Sequence, residues 1–186
     1  MANNFSNITK QKHDSALEAL KAEFGYTNPM QAPRLMKVVV TSGIGSVSDK
    51  NKRTLIANRL AKITGQKVAD RTAKKSIATY KTRQGDLIGY QVTLRGNRMW
   101  SFLDKLVHIA LPRTRDFRGI KATGFDEMGN YSFGIKEHTI FPEAADEDIK
   151  DIFGIGFTIV TTAKTKAESE ALLRHLGFPF EREADK

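Results

Sequence analysis

Hydrophobic positions recur along this chain with two periods, and the switches between them mark its elements. Leu17, Leu20, Lys21 and Phe24 keep helical spacing behind Asp14, with Gly25 where a helix stops, which predicts a first helix over Ala16–Phe24. After the loop Asn28-Pro29-Met30-Gln31-Ala32-Pro33, the β-branched run Met36–Thr41 predicts a strand broken by Gly43 and Gly45. Leu55, Ile56, Leu60 and Ile63 form one stripe over Lys50–Thr64, a second helix with Ser48 or Asp49 as its cap, Gly65 as its stop and a basic opposite face. From Gln66 to Arg95 the pattern shortens into alternating segments joined by an exposed basic loop and broken at Gly85, Asp86 and Gly89. In the last of these, Ile88, Tyr90, Val92 and Leu94 alternate with Gln91, Thr93 and Arg95, so one strand face is core and the other polar.

Asn97 then caps a strongly apolar helix over Arg98–Leu111, carried by Met99, Leu103, Leu106, Val107 and Ala110, widened by Trp100 and Phe102 and ended by Pro112. Residues 112–129 form a loop too long for a simple connector. Tyr131–Glu137 and Phe157–Thr162 read as strands, and Ala144–Asp151 as an acidic turn or short helix. Thr165 and Glu168 make a capping box that opens a final helix through Leu172, Leu173 and Leu176. Five or six strands among four helices, with one polar sheet face, predict an α+β fold: an antiparallel-rich sheet of about five strands with helices packed mainly on one face. At 186 residues, a single domain is expected.

Charge sharpens this picture. The chain carries 30 Lys and Arg against 21 Asp and Glu, a net +9, but the excess is gathered. Fourteen bases face three acids between Arg34 and Arg95, six face two between Gly96 and Lys121, and residues 122–157 reverse sign with two bases and eight acids. A local +15 within ninety residues repels itself unless a polyanion neutralises it, which points to nucleic acid. The 40% of hydrophobic residues suffices for a core. Absence of cysteine excludes disulfides, thiolate zinc sites, iron–sulfur clusters and thiol nucleophiles, and suits a reducing compartment. No apolar stretch reaches the ~18 residues of a membrane span and no signal-peptide core precedes Lys12, so a cytoplasmic protein without a membrane partner is expected.

Catalytic and cofactor chemistry finds little support. Gly43-Ile44-Gly45 and Gly154-Ile155-Gly156 each lack the third glycine of a dinucleotide fingerprint, having Ser48 and Ile159 in its place, and read as turns or bulges. No phosphate loop is present. His13, His108, His138 and His175 share no ligand spacing, and His108 reads as a core or boundary residue of the apolar helix. Glu143, Asp146, Glu147, Asp148 and Asp151 do not match a calcium loop and suit a solvated helix N-terminus. No metal, cofactor or enzymatic activity is therefore expected.

Three basic elements remain: Lys74, Lys75 and Ser76 with Tyr80, Lys81 and Arg83; the strand face Gln91, Thr93 and Arg95; and the arginines Arg113, Arg115 and Arg118. Lys and Arg supply salt-dependent phosphate attraction, while Gln and Thr on a rigid strand bond base edges or ribose hydroxyls. The mixture suits RNA better than duplex DNA, since no recognition helix or zinc finger is present.

These segments resemble the universal L-five family of large-subunit ribosomal proteins in its bacterial form, over about Ala22 to Phe180. The resemblance is carried by Met30-Gln31-Ala32-Pro33 with Lys37-Val38-Val39-Val40, Ile63-Thr64-Gly65-Gln66-Lys67 with Ala73-Lys74-Lys75-Ser76, and Val92-Thr93-Leu94-Arg95-Gly96. Ala110-Leu111-Pro112-Arg113 with Arg115-Asp116-Phe117-Arg118-Gly119, Gly129-Asn130-Tyr131-Ser132, Ile140-Phe141-Pro142-Glu143 and Thr161-Thr162-Ala163-Lys164 extend it. It implies a structural constituent that binds 5S rRNA and anchors it in the central protuberance, beside large-subunit rRNA and other ribosomal proteins there. It assigns rRNA binding to Lys37, Thr41, Gln66, Lys74, Lys75, Ser76, Gln91, Thr93 and Arg95. The loop with Lys74, Lys75, Ser76, Tyr80, Lys81 and Arg83 is implied to face the P-site tRNA. Arg113, Arg115 and Arg118 are implied to face large-subunit rRNA or a small-subunit head protein across a subunit bridge. The family divides such a chain into an N-terminal part at about 25–81 and a C-terminal part at about 85–178.

The chain departs from that family at four places. Thr41-Ser42-Gly43 stands where Asn-Met-Gly is usual, Arg71 where a small hydroxyl residue is common, Phe125-Asp126-Glu127-Met128-Gly129 where Phe-Asp-Gly-Arg-Gly is usual, and Phe153–Phe157 where charge is normal. The competing expectation is a free-standing basic RNA-binding protein, a regulator or chaperone, with similar affinity for many RNAs.

Overall fold

The structure, a computed structural model, describes residues 7–28, 30–47, 49–144 and 152–181. Pro29, Ser48 and the acidic stretch 145–151 lie outside them, and with them one of the two expected caps of the second helix and most of the expected acidic turn. Four α-helices and five strands are found among the described residues, in the order α1 (Ile8–Phe24), β1 (Leu35–Gly43), α2 (Lys50–Thr64), β2 (Ala69–Thr72), β3 (Leu87–Leu94), α3 (Gly96–Lys105), β4 (Tyr131–Ile135), β5 (Ile155–Thr161) and α4 (Lys166–Leu176). The strands form one sheet in the order β2-β3-β1-β5-β4. Its neighbours run antiparallel: Ala69 pairs with Gln91 and Arg71 with Gly89, and Thr41 reaches Gly156 where Ser42 reaches Gly154. The fold is α+β, as the patterning predicts.

The contacts divide the chain into two compact units, with β1, β4 and β5 each contributing residues to both. In the first (Met1–Val38, Arg95–Phe133, Thr158–Lys186), α1 packs on α3 and α4. This helix starts well before the expected Ala16, and Asp14 lies inside it rather than at its cap. The reason is tertiary: buried Thr9 donates its N–H to Asp104 Oδ1 at 2.9 Å and its hydroxyl to the same oxygen, tying down a first turn that local spacing does not support. At the other end Gly25 adopts φ 66° and its N–H closes on Lys21.

Asn97 is not the cap of α3. Arg95 is, and the regular helix ends at Lys105, continuing as a wide turn over Leu106–Ala110 and a tight one over Leu111–Arg113. The wide turn keeps Leu106, Val107, Ala110 and Leu111 buried while turning His108 and Ile109 outward, so His108 is exposed rather than a core or boundary residue. The expected long loop after it is tethered instead of free. Ile120 bridges Phe180 through bonds to Pro179 and Glu181, and Phe125, Tyr131 and Phe180 cluster with ring centroids 4.4–5.7 Å apart. Gly124 must be glycine there, because a Cβ would sit 2.1 Å from the Ser132 carbonyl oxygen. In α4 the Thr165 half of the capping box forms, Oγ1 accepting from Glu168 N at 3.3 Å, while the Glu168 carboxylate reaches one residue further back and accepts from Lys164 N at 2.9 Å.

In the second unit (Val39–Leu94, Gly134–Phe157), α2 matches its expected bounds, with Asp49 accepting from Asn51 N at 2.9 Å and Gly65 at φ 66°. Ile56, Leu60 and Ile63 are buried, each worth about 1.5–3 kcal/mol of transfer free energy, while Leu55 is half-buried. Lys50, Lys52, Arg53 and Lys62 keep the basic face accessible, whereas Arg59 turns inward. It is 8% exposed, with Nη1 3.4 Å from Nε2 of His138, whose ring stacks on Phe153 at 4.0 Å. β4 ends at Ile135 instead of Glu137 because the chain turns there to bury His138, Ile140 and Phe141. Along β3, Tyr90, Val92 and Leu94 are buried as the alternation predicts, whereas Ile88, near the strand's start, is 38% exposed.

Candidate nucleic-acid interface

In the second unit, Thr41 on β1 and Gln91 and Thr93 on the neighbouring strand β3 alternate with core residues and stay accessible. The Thr41 and Gln91 side chains carry hydrogen bonds, and Thr93 is met at its backbone carbonyl. The Thr41 hydroxyl donates to the Gly156 carbonyl at 3.4 Å, leaving its lone pairs as acceptors. Gln66, just past α2, donates from Nε2 to the Thr93 carbonyl at 3.4 Å. Arg71 on β2 donates from Nε to Gln91 Oε1. A ligand therefore meets Thr41, Gln66 and Gln91 side chains that each already carry one hydrogen bond.

From the β2 and β3 ends, residues 73–86 rise as an ordered hairpin. Ala73 bonds Gly85 and Asp86 at its base, and Ile77 and Thr82 exchange backbone bonds of 3.0 and 3.2 Å near its tip. Ser76 Oγ accepts from Gln84 N at 2.9 Å and Asp86 Oδ2 from Arg83 N at 2.7 Å, so Ser76 serves the hairpin's own frame. Lys81 takes φ 52° to close the tip. Tyr80 is 74% and Ile77 46% exposed, with Lys74, Lys75, Lys81 and Arg83 exposed around them. A rigid, cation-ringed arm with an aromatic at its end offers phosphate attraction together with a stacking platform.

Other expected site residues belong to the first unit. Lys37 lies half-buried on β1, and Arg95 is exposed one residue past the end of β3, still extended, as the cap of α3. Arg113, Arg115 and Arg118 are exposed on the segment after α3, next to Asp116 at φ 52°. Patterning missed Arg71 as a partner of Gln91 because only the β2–β3 register reveals it, and missed the exposed Ile77.

Among the described residues the four histidines stand individually rather than gathered with several acids. His13 accepts the Leu35 N–H at Nε2 (3.3 Å), His175 Nε2 bonds the Lys12 carbonyl at 2.9 Å, His138 is buried and His108 is exposed. A cleft of about 270 Å³ in the first unit is lined by His13, Asp14, Leu17, Pro33 and Arg34, but its histidine is committed to the backbone. Among the described residues no three His, Asp or Glu side chains gather closely enough to hold a metal ion, and no helix is long and apolar enough to cross a membrane.

The architecture is that of an α+β protein whose sheet carries accessible polar positions beside a basic arm. Residues 28–83 match the family model described as ribosomal protein L5, and residues 87–180 the model that describes the C-terminus of the same ribosomal family. The chain is 51% identical over 175 residues to the large ribosomal subunit protein uL5 of Flavobacterium johnsoniae, covering 93% of this chain and 96% of that one. It is 52% identical over 169 residues to the protein of the same name from Geobacter sulfurreducens, covering 90% and 94%. The Anaeromyxobacter sp. (strain K) protein of that name is 50% identical over 173 residues, covering 92% and 96%. The chain belongs to the ribosomal protein L5 family. It is a structural constituent of the large ribosomal subunit, not an enzyme, and works in the ribosome of the cytoplasm.

Proposed function

We propose that this chain binds 5S rRNA and anchors it in the central protuberance. The observation that carries this is the set of hydrogen-bonded side chains on the second unit, Thr41, Gln66 and Gln91, with Thr93 accessible among them, beside an exposed basic hairpin. Lys37 and Arg95 add positive charge to the rRNA contact. The hairpin with Lys74, Lys75, Ser76, Tyr80, Lys81 and Arg83 faces the P-site tRNA, its lysines and arginine on phosphates and Tyr80 on a base. Arg113, Arg115 and Arg118 face large-subunit rRNA or a small-subunit head protein.

The two kinds of contact separate experimentally, because phosphate neutralisation scales with salt and hydrogen-bond readout does not. Competition binding of 5S RNA against tRNA and a random RNA of equal length, titrated from low to moderately high salt, is expected to show a 5S preference that survives rising salt. Lys74→Ala with Lys75→Ala weakens all RNAs and lowers the salt slope by about one to two. Thr93→Val chiefly erodes the preference. Equal, steeply salt-dependent affinity of the wild-type chain for all three RNAs would refute the 5S assignment and leave a free-standing, unselective RNA binder.

A further inference from the structure

We propose that Arg71 is a positioning residue that fixes the orientation of the Gln91 amide, committing its oxygen to Arg71 and leaving both its N–H groups for RNA. This rests on the rRNA-binding reading above and names how one of its residues is set.

Arg71 on β2 lies directly opposite Gly89 of β3, while Gln91 lies opposite Ala69. Directly opposed residues of an antiparallel pair share a sheet face, so Arg71, Gly89 and Gln91 stand on one side, with Arg71 and Gln91 diagonal neighbours. Such neighbours lie about 7–8 Å apart, within reach of a long side chain. Gly89 leaves the position between them bare, and the ladder shifts register immediately after Arg71. Arg71 Nε donates to Gln91 Oε1.

The orientation of the amide follows from chemistry. A guanidinium has five N–H groups and no lone pair to offer, so the Gln91 atom it meets must be the oxygen. The two N–H groups of Gln91 are then left for a ligand. Gln66 is set in the opposite sense: the Thr93 carbonyl can only accept, so Gln66 spends an N–H there and keeps its oxygen to present. Gln91 therefore offers its two N–H groups, and Gln66 its oxygen beside one remaining N–H. The RNA group fitting Gln91 is an acceptor, a phosphate, ribose or base oxygen or a ring nitrogen, and the group fitting Gln66 carries an N–H or a 2′-hydroxyl. In this arrangement the charge of Arg71 matters less for phosphate attraction than for turning Gln91.

The test uses the full chain, a 5S RNA transcript and a random RNA of equal length, with Arg71→Lys, Arg71→Met, Gln91→Ala, Gln91→Glu and the Arg71→Met/Gln91→Ala pair. All these positions are exposed or half-buried, and circular dichroism with the unfolding midpoint checks that each variant folds. Gln91→Glu keeps a partner for Arg71 but turns acceptors toward RNA, and is expected to lower the 5S preference about tenfold, more than Gln91→Ala. Arg71→Lys, still only a donor, retains the preference. Arg71→Met loses part of it, and the double variant is no less selective than Gln91→Ala alone. Additive losses in the double variant, or an Arg71→Met that weakens both RNAs equally and flattens the salt slope, would make Arg71 an ordinary phosphate contact and overturn the assignment. A wild-type chain with no 5S preference overturns the parent reading instead.

Discussion

His13 shows how one side chain acquires a role that its position in the sequence does not announce. Its ring sits 4.8 Å from Trp100 and its Nε2 accepts the Leu35 N–H at the start of β1. Burial holds its pKa below the usual histidine value, with Asp14 opposing and Arg34 adding to the shift. A base depressed in the folded state binds fewer protons there than in the unfolded chain, so stability rises with pH between the two pKa values. The stabilisation is complete above about pH 6.5, the unfolded value, and is lost as pH falls toward the folded one. Urea unfolding at pH 7.5 and pH 5 should therefore show wild type losing more stability than His13→Gln over that interval; equal losses would show that His13 does not contribute. Arg59 and Thr9 belong to the same class. Both are polar residues buried by partners distant in sequence, His138 and Asp104, and no periodicity marks them.

Among elements, the most legible were those whose ends carry their own chemistry. The Thr165 cap and the glycines after α1 and α2 set boundaries that structure reproduces, because capping is satisfied by neighbours within four residues. Thr165→Ala should cost about 1 kcal/mol by removing the acceptor for Glu168 N, with Thr165→Ser retaining most of it. Since α4 buries Leu172, Leu173 and Leu176, the loss should appear in global urea unfolding and not only in local fraying. The elements misjudged were those completed from outside: the early start of α1, pinned by Asp104, and the two-stage end of α3, widened so that four apolar residues stay inside. The expected free loop after α3 became a tethered one because Ile120 and Phe125 found partners at Phe180 and Tyr131.

For the whole molecule, the charge distribution and the division of contacts make separable predictions. β1, β4 and β5 supply residues to both units, so we expect a single cooperative unfolding transition. Two resolved transitions in calorimetry would divide the chain into independent domains. The unfolding midpoint should rise as sodium chloride increases from about 20 to 200 mM, because screening relieves repulsion within the basic region. It should rise further when 5S RNA binds the folded state.

Composition and patterning by themselves determined the α+β class, the bounds of α2, the core side of β3, the basic region and the absence of cysteine chemistry. These follow from local spacing and from counts that folding does not change. Only the tertiary structure decided that Arg59 is buried, that Arg95 caps a helix, that residues 73–86 form a hydrogen-bonded arm, and that Gln91 meets Arg71 while Gln66 meets the Thr93 carbonyl. Each depends on which strand lies beside which and in what register, and hydrogen-bond partners across a sheet are chosen by that pairing rather than by distance along the chain.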